Sequence, residues 1–327
     1  MKKIGILTSG GDCSTMNKVI TTFVQVCEHN QIEPYLIYNG YEGLTKGEIR
    51  KTNWNEVRTW YDLPGSKIYS SRFPEFENLE TRKKAVLQLQ KHHIDGLIVC
   101  GGNGSYIGAS KLAELGIKII TLPGTIDNDV SSSETTIGFH SSLDYVVKTI
   151  RSIRATMESH HFVSIVEIMG RNCPDLTIFA GIATHADYII TGENIKTPEE
   201  LGSIIAKLKK LNPANSILIL VTELLYGTNN FPSLEDTCKI ATKISGEKIR
   251  INVLSYAQRG SDPSAWDLIN STRMTTAAVN LMKSGKNNVA IGNKGNEVVA
   301  IDLLDAINLK NPSRKKFIEK FINLEKI

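Results

Sequence analysis

The sequence predicts an α/β fold: two doubly wound domains, each a parallel sheet with helices on both faces. Three observations predict it. Short apolar runs alternate along the chain with longer stretches of helical periodicity. The runs are dense in Ile, Leu and Val with little polar alternation, as in strands buried on both faces. Polar loops, several of them rich in glycine, follow the runs, at the strand ends where such sheets bind ligands. A chain of 327 residues is long enough for two domains of ordinary size.

The elements follow in order. Lys3–Thr8 reads as the first strand and runs into Thr8-Ser9-Gly10-Gly11-Asp12; Met16–His29 is the helix that covers it. Pro34–Tyr38 is the second strand, and Trp54 and Trp60 are placed as packing residues on a short helix. Helix Leu79–His92 precedes strand Gly96–Cys100, whose loop Gly101–Ser105 opens helix Tyr106–Leu115. Strand Lys118–Leu122 leads into Pro123–Asp129, followed by helix Ser141–Thr156. Strand Val163–Ile168 precedes Met169-Gly170-Arg171; helix Pro198–Leu208 and strand Ser216–Val221 precede Thr222-Glu223. Helix Leu234–Ile244, strand Arg250–Ser255, helix Thr272–Lys283 and strands Asn288–Ile291 and Glu297–Ile301 complete the pattern. Five loops can then converge on one rim.

Composition excludes several classes. The net charge of +4, from 38 basic and 34 acidic residues, suits a small anionic substrate. No basic run is interleaved with aromatics, which argues against nucleic acid as a partner. Five separated cysteines without a CxxC pair read as reduced thiols of a cytoplasmic protein, not as a zinc site. No stretch approaches the length of a membrane span, so no membrane partner is expected.

The loops carry the chemistry. Gly10-Gly11 and Gly101-Gly102-Asn103-Gly104 expose backbone N–H groups to which a polyphosphate can come close, next to a helix N-terminus. Neither is followed by Gly-Lys-Ser/Thr and neither reads GxGxxG, so each alone is equally a tight strand-to-helix turn. Asp127 and Asp129 are two positions apart and share a face in an extended loop, close enough to raise each other's proton affinity. One could take a proton from a sugar hydroxyl while the other supports a metal; an Asx-turn or helix cap is the commoner use of such residues. Arg72, Arg171 and Arg259 add planar forks suited to phosphate oxygens.

Taken together, "ILTSGGD" at 6–12, "GYEGL" at 40–44, "SSRFPEF" at 70–76, "GGNGSYIGA" at 101–109, "LPGTIDND" at 122–129, "VEIMGR" at 166–171, "TE" at 222–223 and "QRG" at 258–260 resemble the bacterial type of phosphofructokinase in order and spacing. The resemblance implies two domains, 1–138 plus 258–308 for nucleotide and 139–257 plus 309–327 for sugar phosphate, with the active site in the cleft between them. It implies transfer of the γ-phosphoryl of ATP to fructose 6-phosphate with Mg²⁺, in a homotetramer. Asp127 would be the general base and Thr125 would position the sugar. Asp129 would support metal and base; Gly11, Arg72 and Arg171 would stabilise the phosphoryl in flight. Gly11, Tyr41, Arg72, Phe73, Gly102, Asn103, Gly104, Ser105 and Gly108 would line the nucleotide site. Thr125, Asp127, Met169, Gly170, Arg171, Glu223, Arg250, Tyr256 and Arg259 would hold the sugar phosphate. Pyrophosphate-using relatives typically carry aspartate at the position of Gly104 and lysine at that of Gly124, so the two glycines here imply ATP.

The chain also departs from the family's pattern. Asn103 stands where the family has a magnesium-supporting aspartate, keeping an oxygen of similar reach without the charge. Phe162 and Tyr256 replace an arginine and a histidine of the 6-phosphate pocket. Thr21, Gln25 and Trp54 replace basic residues of the effector site, where Arg154 remains. These changes leave two other readings open: a degenerate paralogue that binds nucleotide or an assembly partner, and a kinase for a different sugar or sugar phosphate.

Overall fold

The computed structural model of the protein describes residues 1–170, 172–211, 216–228 and 231–310. They fall into two compact units, one built from Met1–Ser142 with Arg259–Asn311 and the other from Leu143–Gln258.

In chain order the first unit contains β1 (Lys3–Ser9), α1 (Met16–His29), β2 (Glu33–Ile37), α2 (Gly40–Lys46), β3 (Ile49–Lys51), α3 (Trp54–Val57), α4 (Leu79–Lys91), β4 (Gly96–Gly101), α5 (Asn103–Ala113) and β5 (Ile119–Pro123). Helix α6 (Phe139–His160) leads to β6 (Val163–Ile168), α7 (Asp175–Thr184), β7 (Tyr188–Ile190), α8 (Pro198–Leu211), β8 (Ile217–Thr222), α9 (Leu234–Ser245) and β9 (Ile249–Val253). The chain then returns to the first unit with α10 (Ala265–Lys283), β10 (Val289–Lys294), β11 (Glu297–Asp302) and α11 (Leu303–Asn308).

The described strands of the first unit form one sheet in the order β11-β10-β5-β4-β1-β2-β3. Its centre, from β10 to β2, is parallel as the alternation predicts. Both edges are antiparallel, a departure from the purely parallel expectation. At one edge the cause is local. Gly295 (φ 56°) sits between β10 and β11, and so short a connection can only reverse the chain. The central strands are buried throughout: β4 has no exposed residue. One face packs Leu7, Leu97, Val99 and Ile119 against Tyr106, Ala109 and Leu112 of α5. Helix α1 buries Val19, Ile20, Phe23 and Cys27, and it packs with α10. Helix α10 begins well before the expected Thr272, because Ser264 caps it by accepting from the Asp267 N–H. Helix α3 ends at Val57, so Trp60 lies outside it.

The second unit has a parallel sheet in the order β7-β8-β6-β9. Val163, Ile165, Ile217, Ile219 and Val221 pack against Leu201 and Ile205 of α8 and Ala241 of α9. Parallel order places the carboxyl ends of β6 and β8 side by side, as it does those of β1, β4 and β5 in the first unit. The five loops expected on one rim are thus a group of three in one unit and a group of two in the other.

Candidate active site

Three loops meet at the centre of the first unit's sheet. After β1, Gly10 adopts φ 86°, a conformation open to glycine, and its N–H donates to Ser71 O at 3.1 Å. Gly11 is needed for another reason: a Cβ there would overlap the guanidinium of Arg259. That guanidinium also donates from Nη1 to the carbonyl of Asp12 at 3.3 Å. Arg259, expected on the sugar phosphate, therefore lies across the first glycine loop.

The loop after β4 is stitched to the one after β1. Ser9 pairs with Gly101, and the Ser105 hydroxyl donates to Ser9 O at 3.1 Å. Gly102 caps α5 in an extended conformation, so the helix starts at Asn103, earlier than the expected Tyr106. The N-terminus of this eleven-residue helix, with its dipole, suits an anion. Gly104 faces open space, with nothing within 4 Å of where a Cβ would stand. Tyr41 and Ser105 take a different part from the one expected. Tyr41 is buried, stacks on Phe76 at 4.2 Å, donates its hydroxyl to Ser105 O at 2.6 Å and lies 2.8 Å from a Cβ placed on Gly108. The side chains of Tyr41 and Ser105 therefore brace the loop from behind instead of facing a ligand. Phe73 is half-buried against Phe76, and Arg72 is exposed with no ion pair among the described residues.

The third loop carries the two aspartates. Thr125 N–H donates to Ile137 O at 3.1 Å, and the Thr125 hydroxyl accepts from the Asp127 N–H at 3.2 Å. Asn128 takes φ 53° and receives the Thr136 N–H at 2.9 Å. Thr136 in turn donates its hydroxyl to Thr125 O at 2.7 Å. The turn is thus held by Thr125, Asn128 and Thr136. Helix capping does not account for the aspartates, since no helix begins until Phe139.

Asn103 joins this loop to the previous one. Its Nδ2 donates to the backbone O and to Oδ2 of Asp129, both at 3.0 Å. Both partners are acceptors, so the amide must present its NH₂ side. The expectation of Asn103 as an oxygen ligand to Mg²⁺ changes accordingly: here it positions the Asp129 carboxylate. A Mg²⁺ that arrives on nucleotide phosphates needs one or two protein carboxylates and keeps waters besides. Asp129, which stays half-buried beside Asn103, fits that need.

In the second unit, Met169, Glu223 and Tyr256 line a pocket of about 140 Å³ with Glu167, Val253 and Ser255. Gly170 (φ 146°) donates its N–H to Glu223 Oε1 at 3.3 Å, and a Cβ on it would approach Cys173 O to 2.6 Å. Arg250 lies 5.0 Å over the ring of Phe162, a cation–π contact. Glu167, unmarked in the sequence reading, has its carboxyl pushed above the usual range, first by burial and then by Glu223. Its signal was a single carboxylate inside the apolar run Val163–Ile168. Arg171 lies outside the described residues. All five cysteines are buried and unbridged, and no helix among the described residues is long and apolar enough to cross a membrane.

Comparisons with known proteins follow the same lines. A family model described as phosphofructokinase matches residues 3–282. A protein of Malacoplasma penetrans named probable ATP-dependent 6-phosphofructokinase is 48% identical over 323 residues, covering 99% of this chain and 100% of its own. One of Spiroplasma citri, named ATP-dependent 6-phosphofructokinase, is 40% identical over 324 residues, covering 99% and 97%. Among solved structures, phosphofructokinase of Saccharomyces cerevisiae aligns with a TM-score of 0.84 at 30% identity, over 94% of this chain but only 45% of the yeast chain. The pyrophosphate-dependent enzyme of Nitrosospira multiformis gives 0.87 at 19% identity, over 99% and 89%, which is a likeness of fold. The chain belongs to the phosphofructokinase family.

Proposed function

We propose that the chain is an ATP-dependent 6-phosphofructokinase, moving the γ-phosphoryl of ATP to fructose 6-phosphate in glycolysis. The observation that carries this reading is the Thr125–Asp129 loop, held beside both glycine loops in one sheet. Asp127 takes the proton of the attacking hydroxyl. Thr125 fixes the backbone at Asp127 through the bond to its N–H. Gly11, Gly102 and Gly104 let phosphates approach the backbone. Arg72 and Arg171 neutralise the phosphoryl group as it passes, where positioning and charge supply most of the rate. Met169, Gly170, Glu223, Arg250 and Tyr256 hold the sugar phosphate. Asp129 would hold Mg²⁺, which, bound with nucleotide, offsets charge on the β- and γ-phosphates. The assembly is proposed to be a homotetramer.

A coupled assay of ADP release across a sugar panel, with ATP or pyrophosphate as donor, tests this. Turnover with ATP and fructose 6-phosphate is expected; its absence overturns the reading. The contact of Arg250 with Phe162 favours one second reading, a kinase for a sugar other than fructose 6-phosphate, and the same panel separates the two.

A further inference from the structure

Asp267 is a fully buried carboxylate in the first turn of α10. Its Oδ2 accepts the backbone N–H of Ser141 at 2.7 Å and the Ser141 hydroxyl at 2.6 Å. That hydroxyl in turn accepts the Ser264 N–H at 3.0 Å, and the Ser264 side chain caps α10 at Asp267. These bonds close a ring that ties the start of α10 to the start of α6. Burial pushes the Asp267 carboxyl above its usual range, while the bonds from Ser141 and the nearby His140 draw it down.

Both helix starts lead to the site. Helix α6 begins just after Ile137, which is bridged to the end of β5. The Ile137 N–H donates to Pro123 O at 2.8 Å, and its carbonyl accepts the Thr125 N–H from which the Asp127 turn departs. The same carbonyl accepts the Cys13 thiol at 3.2 Å. Gly138 (φ 101°) lies against Cys13 so closely that a Cβ would overlap it. Ahead of α10, the hydroxyls of Ser261 and Ser14 bond at 2.9 Å, and the Ser14 hydroxyl reaches Arg259 O at 3.3 Å. The Arg259 guanidinium lies across Gly11. One carboxylate thus joins the segment that closes the Asp127 turn to the segment that braces the first glycine loop.

Burying a charge opposes folding, and well-packed apolar residues of similar volume often serve stability as well. An apolar pair cannot fix a direction, whereas two short bonds to one charged oxygen do. Phosphoryl transfer depends on such placement, since a displacement of about 1 Å can cost on the order of 10²-fold in rate.

We propose that Asp267 is a positioning residue for phosphoryl transfer, fixing the Asp127 turn against the first glycine loop through Ser141. This rests on the phosphofructokinase reading above and deepens it with a residue shut away from solvent.

The test uses the full chain and its Asp267→Asn, Ser141→Ala and Asp127→Ser variants, with Asp267→Asn and Ser141→Ala each also combined with Asp127→Ser. Melting temperature is measured first, then kcat and the KM for ATP and for fructose 6-phosphate at a temperature where every protein is folded. Asp267→Asn keeps the shape but loses the charge and brings NH₂ donors towards Ser141. Its kcat is expected to fall roughly ten- to hundredfold while both KM values stay within about threefold. Ser141→Ala, which removes one of the two bonds, moves kcat the same way by less. A merely structural role would lower the melting temperature and leave kcat of the folded protein untouched. In the Asp127→Ser background, Asp267→Asn should cost less than about twofold more, because placing a base no longer matters once the base is gone. If folded Asp267→Asn keeps kcat within about twofold of the natural protein, the proposal is overturned and the phosphofructokinase reading stands. An equal further loss in the combined variant also overturns it, since Asp267 would then act elsewhere than on Asp127. Where Asp267→Asn does not fold, the same two readouts on Ser141→Ala decide. A natural protein without turnover on any sugar of the panel overturns both.

Discussion

Replacing Asn103 with aspartate converts the donor between two loops into an acceptor. The amide gives Asp129 two hydrogen bonds of 3.0 Å, one of them to the carboxylate. A bond to a charged group is worth about 1.5–3 kcal/mol net, and the exposure of Asn103 puts this one at the lower end. A new carboxylate about 4 Å from the old one repels it by roughly 1 kcal/mol in water and about 4 kcal/mol at a partly buried site. The two effects together amount to about 3 kcal/mol, or a melting temperature lower by roughly 6–12 °C for a domain of this size. The measurement is calorimetry of nucleotide-free protein in EDTA and in millimolar Mg²⁺. The natural protein melts alike in both. The Asn103→Asp protein melts low in EDTA and recovers in Mg²⁺, because a hard cation bridges paired carboxylates. Asn103→Ala, losing the bonds without adding charge, falls by less and gains nothing from Mg²⁺. If Asn103→Asp melts with the natural protein in EDTA, the amide does not hold Asp129 as described.

Asp127→Ser should lower kcat by at least ~10²-fold with little change in the KM for ATP; near-normal turnover would remove the base from its role. Gly104→Asp should leave the melting temperature unchanged, since a Cβ there meets nothing, while raising the KM for ATP; a lower melting point would contradict the open space. Gly124→Ala should cost about 1–3 kcal/mol in a denaturant titration, because its Cβ would stand 2.6 Å from Cys100 Sγ, and an unchanged midpoint would refute the clash. Burial pushes the Cys100 thiol up to about 12, and those of Cys13 and Cys27 upward as well. A raised thiol pKa contributes stability below the unfolded value near ~8.5, and that contribution is lost as pH climbs towards the folded one. The melting temperature should therefore decline from about pH 9 upward, and a thiol reagent at pH 8 should find no reactive cysteine until denaturant exposes all five; a flat profile or fast native labelling would count against the buried thiols.

The parallel core and the loops at its strand ends were legible because buried strands and glycine turns write themselves locally. Elements without a periodic signature were not. Helix α7 is apolar on nearly every side, so Asp175–Thr184 shows no stripe, and β3 and β7 are three residues each. Helix α10 did carry a signal, Ser264 three residues before Asp267, that hydrophobic periodicity alone passes over. In the site, residue types were readable while partners were not. The contact of Arg259 with Gly11 joins loops far apart in the chain, and the bond from Asn103 to Asp129 depends on the lateral order of β4 and β5. A lone charge at the end of β6 reads as a surface residue until the register sets it beside Glu223.

The first unit is interrupted in the chain, and this bears on how the protein is made. A ribosome releases β1 to β5 well before α10, β10 and β11. Until Val289–Lys294 emerges, the β5 edge of the nascent sheet is open, and the apolar face of α1 lacks the helix that later covers it. Meanwhile the stretch Leu143–Gln258 carries a parallel sheet of its own, whose described strands all emerge before α10. Open edges and bare helix faces are what recruit chaperones and seed aggregates. Slow decoding between Gln258 and Asn288 would prolong that exposure, so synonymous codons there bear on soluble yield without altering one residue of the finished enzyme.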